Sequence, residues 1–273
     1  MIVIISNSLI FGTGASAAKD YEGLNRVVSC ALGNGIRIYD TAPSYGVEEI
    51  LSRIIFATIL KYGLKREEIC FQTKIDGWQM MDGNIEKFVD DALRKMNLQY
   101  LDNLLIHWPF PDYLENTWKA FKKMKECGKV RKIGICNVRL RHLKTYEEQG
   151  IFPEIIQIER NPLRTCEREI AFCKQHNVEV QAYSPLCKMD KRLSESHVLK
   201  TIADKHAKNI GQIILRWHID TGVIPIFTST KEERILEYTK LFDFSLSKEE
   251  IAEISSLNVN YKIYLESCYC PGF

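Results

Sequence analysis

Eight times along this chain a short apolar run gives way to a stretch with helical periodicity. The runs end near Gly12, Asp40, Lys74, His107, Asn137, Gln157, Tyr183 and Ile226. Between and after them, residues 21–32, 47–62, 85–96, 114–127, 139–149, 166–176, 194–207 with 211–220, and 232–240 read as helices, by apolar positions three and four apart and by Gly or Pro stops. Asn84 stands where the third of these helices would be capped. Such alternation points to parallel strands, because each crossover helix returns the chain to the end of the sheet where the previous strand began. The expected fold is α/β, a single (β/α)8 TIM barrel with parallel strands over residues 1–273, with 258–273 as a C-terminal tail placed to cover the pocket. A doubly wound sheet also alternates, but the glycine cluster Gly12-Thr13-Gly14 lacks the third glycine of a dinucleotide fingerprint.

Length and composition suit that reading, since 273 residues, 45% hydrophobic, suffice for one barrel core. Thirty-seven basic against 35 acidic side chains leave a net charge of +2, and no basic run tracks a phosphate backbone. Nucleic acid is not expected as a partner. The opening Met1-Ile2-Val3-Ile4-Ile5 lacks a basic leader and reads as strand material, not as a signal peptide. No run approaches the roughly 18 apolar residues a membrane span needs, so no membrane partner is expected either. The nine cysteines are scattered, and Cys30, Cys70 and Cys136 fall inside apolar patterns, as suits a reducing cytoplasm. Cys268-x-Cys270 has no second pair, and no metal is expected.

The stretch from Arg37 to Gly46 carries the first chemical signal. Asp40 closes a strand, and Tyr45 lies on the loop that Pro43 and Gly46 punctuate. Singly, each candidate has an ordinary reading: Asp40 a helix cap, Tyr45 a packing residue, Lys74 a solvated amine, His107 a satisfied core imidazole. A barrel changes this, because the mouth ends of three consecutive strands would bring all four into one pocket. Together they form a device for protonating a carbonyl oxygen. A phenol titrates near pH 10 in water, and a cation beside it favours the phenolate. Lys74 would be that cation, Asp40 would hold it charged, and His107 would direct the substrate oxygen. Tyr45 is then the general acid. With no nucleophile and no metal cage, electrons must come from a cofactor, and hydride from a reduced nicotinamide is the natural source.

In these residues the chain resembles the aldo-keto reductase family. The matching segments are Asp40-Thr41-Ala42-x-x-Tyr45-Gly46, Thr73-Lys74, Leu105-Ile106-His107-Trp108-Pro109, Gly134-Ile135-Cys136-Asn137-Val138, Ile156-Gln157-Ile158-Glu159 and Ala182-Tyr183-Ser184-Pro185-Leu186. The likeness runs from Gly12 to about Leu257. It implies an Asp, Tyr, Lys, His tetrad at Asp40, Tyr45, Lys74 and His107. It also implies that Asn137 and Gln157 hold the nicotinamide carboxamide, that Tyr183 stacks on the ring, and that Gly12, Thr13, Ser184 and Leu186 line the cofactor. Where the family commonly has Ser, this chain has Cys136, which weakens one hydrogen bond to the carboxamide.

The last loop departs further. NADPH-preferring members often follow the final strand with Lys-Ser and reach the 2′-phosphate with a later Arg and Asn. Here Ile226-Phe227-Thr228-Ser229-Thr230-Lys231 leads to Arg234, and Tyr238 stands near the Asn position. Hydroxyls of Thr228, Ser229 and Thr230, with Lys231 and Arg234, cluster at a helix start and suit a phosphate; the plainer alternative is a cap with solvated charges. NADPH is the expected cofactor, with NADH open as well. Trp78, Trp108 and Phe110 are candidates to line the substrate pocket, with ordinary barrel packing the equal alternative, and the aromatic tail from Tyr264 has no helical period. The leading expectation is an NADPH-dependent reductase of a small-molecule aldehyde or ketone. Two rivals are a nicotinamide-sensing regulatory subunit of the same fold, which a dead tetrad would favour, and a sugar-phosphate isomerase or lyase, which would leave Asn137, Gln157 and Tyr183 unexplained.

Overall fold

Strands β1 (Ile10–Gly12), β2 (Ile38–Asp40), β3 (Cys70–Ile75), β4 (Leu101–Ile106), β5 (Val130–Cys136), β6 (Ile155–Glu159), β7 (Glu179–Tyr183) and β8 (Ile224–Phe227) pair in chain order, all parallel. β8 pairs back onto β1 and closes the barrel. The structure is a computed structural model that describes residues 8–14, 17 and 19–270. The opening apolar run at residues 1–5 lies outside them. The expected (β/α)8 barrel is the fold observed.

Side-chain parity decides what the barrel interior is made of. Phe11, Tyr39 and Phe71 are cross-strand neighbours on β1, β2 and β3, and Phe71 stacks on Phe56 of the outer helix Glu48–Tyr62 at 6.0 Å. One residue on, the register brings Asp40 beside Gln72, and this parity points inward. Gln72 Nε2 donates to Asp40 Oδ1 at 2.6 Å and reaches across to Gln181 Oε1 of β7 at 2.8 Å. Asn103 Nδ2 donates to Gln72 Oε1 at 2.9 Å, and Gln157 Nε2 to Asp40 Oδ1 at 3.0 Å. The layer is polar because Asp40, 4% exposed, needs donors around it. Two residues further up β3 the same parity sends Lys74 inward, while Thr73 turns outward and donates to Glu48 at 2.6 Å. On β5, Gly134 allows the strands to close. A Cβ there would lie 2.3 Å from Ile155 O and 2.6 Å from Leu105 Cδ2.

The outer helices follow the predicted periodicity, with differences at their ends. In Ile85–Met96 the buried residues are Ile85, Val89, Leu93 and Met96, one face of the helix, but the Asn84 side chain makes no capping bond. β4 stops at Ile106, before Pro109, and the next helix starts at Pro111, where a missing N–H costs nothing. Four α-helices among the described residues have no counterpart in the sequence reading: Gly77–Asp82, Lys191–Ser194, Lys248–Ser255 and Glu266–Tyr269. The third carries a capping box, in which Glu250 N donates to Ser247 Oγ and Ser247 N to Glu250 Oε2. The last of them corrects the expectation of a tail without helix. No helix among the described residues is long and apolar enough to cross a membrane, and all nine cysteines are free.

Candidate active site

The C-terminal ends of β2, β3 and β4 deliver the four candidates to one place. Lys74 Nζ donates to Asp40 Oδ2 at 2.7 Å, to Oδ1 at 2.8 Å and to Thr41 O at 2.8 Å. Past β2 a 3₁₀ turn, Pro43–Tyr45, closes on Gly46 at φ 72°, a left-handed conformation that glycine tolerates without a Cβ penalty. That turn sets the Tyr45 ring 5.0 Å from Lys74 Nζ. His107, directly after β4, meets the ring edge-on at 5.7 Å, with Nε2 3.5 Å from the phenol oxygen. The structure thus brings Asp40, Tyr45, Lys74 and His107 together.

Their electrostatics differ from the sequence expectation in one respect. Burial pushes the Tyr45 phenol up to about 12, and Lys74, which pulls the other way, does not overcome it. The proton therefore stays on Tyr45 at neutral pH. For Lys74, burial works against the charge, but the Asp40 carboxylate outweighs it and holds the amine above its ordinary value. A second ammonium, Lys19, lies 5.5 Å from the Tyr45 ring and donates to Thr13 O at 2.7 Å and Gly14 O at 2.9 Å. The sequence reading had no signal for it.

Asp76 was also missed. Its carboxylate bonds His107 Nδ1, and it accepts from Ser44 N at 2.9 Å and from the Ser44 hydroxyl at 3.2 Å. Asp76 caps the unpredicted helix Gly77–Asp82, and its own N–H donates to Gln79 Oε1 at 2.9 Å. The Asp76-x-x-Gln79 spacing was the available signal.

The nicotinamide candidates converge beside the four. Asn137 Nδ2 donates to His107 O at 2.8 Å, and the Tyr183 hydroxyl donates to Asn137 Oδ1 at 2.6 Å. Gln157 commits Nε2 to Asp40 and Gln181, leaving its Oε1 without a donor among the described residues. That donor set suits a carboxamide, which offers both N–H and C=O. Cys136 packs with Leu105 and Ile155 as a small hydrophobe. Ser184 takes a positive φ of 49° just after β7, and Leu186 packs against the core.

At the β8 end, the Thr228 hydroxyl donates to Gly12 O at 3.1 Å, and Ser229 Oγ is committed to Lys231, donating to its O at 2.8 Å and accepting from its N at 2.9 Å. Thr13 Oγ1 is likewise held by Asp40 O at 3.1 Å. Thr230, Lys231 and Arg234 are exposed, and the two cations form no ion pair among the described residues. Tyr238 is buried edge-on against Phe227 at 5.4 Å and fills core space.

The three aromatic pocket candidates part company. Trp108 stacks on Tyr269 of the tail, 5.1 Å apart and 8° from parallel. Phe110 lies against Gly77, where a Cβ would come within 2.2 Å of its ring. Trp78, 54% exposed, packs edge-on against Phe88. The tail is held by Glu159 at the end of β6, whose two oxygens accept from Ile263 N at 2.7 Å and Tyr264 N at 3.0 Å. Tyr264 then sits edge-on to Tyr183 at 5.8 Å, and Glu266 bridges Arg139 and Lys262.

Fold and site place this chain among barrel proteins that carry their chemistry at the strands' C-terminal mouth. A sequence model of the Aldo/keto reductase family matches residues 8–259. The glyoxal reductase of Bacillus subtilis (strain 168) is 35% identical over 258 residues, 93% of this chain and 90% of that one. The methylglyoxal reductase DkgA of Escherichia coli O157:H7 is 32% identical, covering 90% and 88%. Among solved structures, the Bombyx mori aldo-keto reductase in complex with NADP superposes with a TM-score of 0.87 at 30% identity, over 96% of this chain and 92% of that one. The chain belongs to the aldo-keto reductase family and is an NAD(P)H-dependent oxidoreductase.

Proposed function

We propose that this protein reduces the carbonyl of a small aldehyde or ketone to an alcohol with NADPH, Tyr45 donating the proton. The observation that carries the reading is the phenol's position, with the buried Lys74–Asp40 pair at one side and His107 Nε2 at 3.5 Å on the other. When bound, the reduced nicotinamide supplies a hydride to the carbonyl carbon. Gln157 Oε1 would accept from its carboxamide N–H, Asn137 would hold the same group, and the Tyr183 ring would take the flat heterocycle. Lys231 and Arg234 would meet the 2′-phosphate. Tyr45 then protonates the carbonyl oxygen, with Lys74 stabilising the phenolate left behind.

The similar reductases, which are named for glyoxal and methylglyoxal, support a small carbonyl compound of that kind as the substrate class. Trp108, one residue after His107, stacks on Tyr269 of the tail, and these two rings would bound a pocket for a small dicarbonyl. The free thiols suit a reducing compartment, so the cytoplasm is the inferred location. The test is NADPH consumption by the purified protein with glyoxal, methylglyoxal and simple aldehydes, beside the Tyr45→Phe variant. Turnover in the wild type and a loss of about 10² to 10⁴ in the variant are expected. NADPH binding without turnover of any carbonyl would favour a nicotinamide-sensing subunit instead.

A further inference from the structure

His107 has two ring nitrogens, and the site treats them differently. Nε2 faces the Tyr45 phenol at 3.5 Å, while Nδ1 is bound to Asp76. A carboxylate has only acceptors to offer, so Nδ1 carries the hydrogen. Burial opposes ionisation of Asp76, but the bond from His107 and the two from Ser44 outweigh it and pull the carboxyl below its ordinary value. With Nδ1 fixed as N–H, neutral His107 presents a lone pair at Nε2, and only the imidazolium can donate there. The neutral ring alone cannot hydrogen-bond a carbonyl oxygen from that side.

We propose that Asp76 is a positioning residue that fixes the proton-exchanging nitrogen of His107 and holds a negative charge behind the ring, so that His107 donates from Nε2 as carbonyl reduction proceeds. The proposal rests on the reductase reading above. The charge is needed because the surroundings are divided. Burial lowers the His107 value most and Lys74 lowers it further, while Asp76, through bond and charge, and Asp40 raise it; the net direction is down. Tyr45 faces the ring as a neutral phenol. Without Asp76 nothing else bonded to the ring favours the imidazolium. The same carboxylate accepts from Ser44 N and Oγ, next to Tyr45 in the chain, so one group aligns both partners of the 3.5 Å contact. The protons balance. The carbonyl carbon gains a hydride, its oxygen takes the Tyr45 proton, the phenolate takes the proton on Nε2, and His107 is left neutral with Nδ1–H intact until solvent reprotonates it.

Asp76→Asn keeps a hydrogen-bonding side chain and removes the charge. Its kcat should fall about ten- to hundredfold, as when a functional imidazole loses its carboxylate partner. NADPH affinity should hold within twofold, and the alkaline fall of the kcat–pH profile should move at least one pH unit lower. In a His107→Gln background Asp76→Asn should change kcat little further, because the group it acts through is gone. An unmoved pH profile, or an equal loss in both backgrounds, would overturn the proposal and leave Asp76 a structural cap of the Ser44 turn. Nitrogen-15 NMR of His107 in the wild-type protein reads the tautomer without activity. Protonated Nδ1 and titrating Nε2 are expected, and a neutral form protonated on Nε2 would refute the assignment even where Asp76→Asn fails to fold. Absence of turnover in the wild type with every carbonyl would instead strike the reductase reading.

Discussion

Lys74 and Asp40 form a two-pronged ion pair inside the barrel, with Nζ 2.7 and 2.8 Å from the two carboxylate oxygens and side-chain exposures of 0% and 5%. A pair this deep holds position more than it adds stability, since the attraction mostly offsets desolvation. Breaking it is another matter. Lys74→Met leaves a carboxylate with only the amides of Gln72 and Gln157 as donors, and a lone buried charge costs about 3 to 5 kcal/mol. The variant should lose carbonyl reduction and also unfold at lower denaturant; wild-type stability with activity lost would show that the ion pair is not needed to hold the barrel.

The same pair sets a pH window. The Lys74 value is raised on folding, so its stabilisation is complete below its ordinary 10.5 and is lost as pH rises through the higher native value. Denaturant titrations from pH 7 to 11 should therefore find this contribution intact until the upper end. A contribution that disappears between pH 7 and 9 would contradict the assignment.

Asp40, Tyr45, Lys74 and His107 were legible in the sequence because the ends of consecutive parallel strands, with the loops that follow them, converge at a barrel's mouth. Asp76 was not, since the apolar run ends near Lys74 and nothing in the local pattern shows that β3 continues to Ile75 and leaves Asp76 at its end. The short Gly77–Asp82 helix was hidden for the same reason, although its capping pair was written at the right spacing. The net rise of the Tyr45 phenol was invisible too. The cation beside it can be read from sequence, but burial, which outweighs it, comes from the finished packing.

The tail shows a longer-range failure of sequence reasoning. Glu159 and the N–H groups it holds at Ile263 and Tyr264 are separated by 104 and 105 residues, a pairing no local pattern announces. Cutting after Leu257 would strip a carboxylate that is 2% exposed of both donors, at about 1 to 3 kcal/mol for each orphaned bond at most. Ending the chain after Tyr264 keeps them and removes Glu266 and Tyr269, which contact Arg139 and Trp108. The longer deletion should lower the unfolding midpoint markedly, and the shorter one should leave it near wild type while raising KM for the carbonyl. Equal stability of both truncations would show that Glu159 does not anchor the tail.

Cofactor choice turns on Arg234 and Lys231. Both side chains are exposed without an ion pair among the described residues, so neither must abandon a partner to meet a phosphate. A guanidinium can give two parallel bonds to adjacent phosphate oxygens, and bonds to charged groups are worth about 1.5 to 3 kcal/mol. Arg234→Ala should therefore weaken NADPH roughly ten- to hundredfold and leave NADH nearly unchanged. The exposed Thr230 can still donate to the phosphate, but two neighbouring hydroxyls offer little rescue, since Thr228 already donates to Gly12 O and Ser229 to Lys231 O. Each has one hydrogen, and a phosphate accepts only. Lys231→Ala should accordingly cost NADPH affinity as well, though less than Arg234→Ala, because an ammonium lacks the planar fork. Titrating both variants with both dinucleotides separates the cases: equal weakening of NADPH and NADH by Arg234→Ala would remove that residue from the 2′-phosphate, and no effect of either substitution would move the phosphate site off this loop.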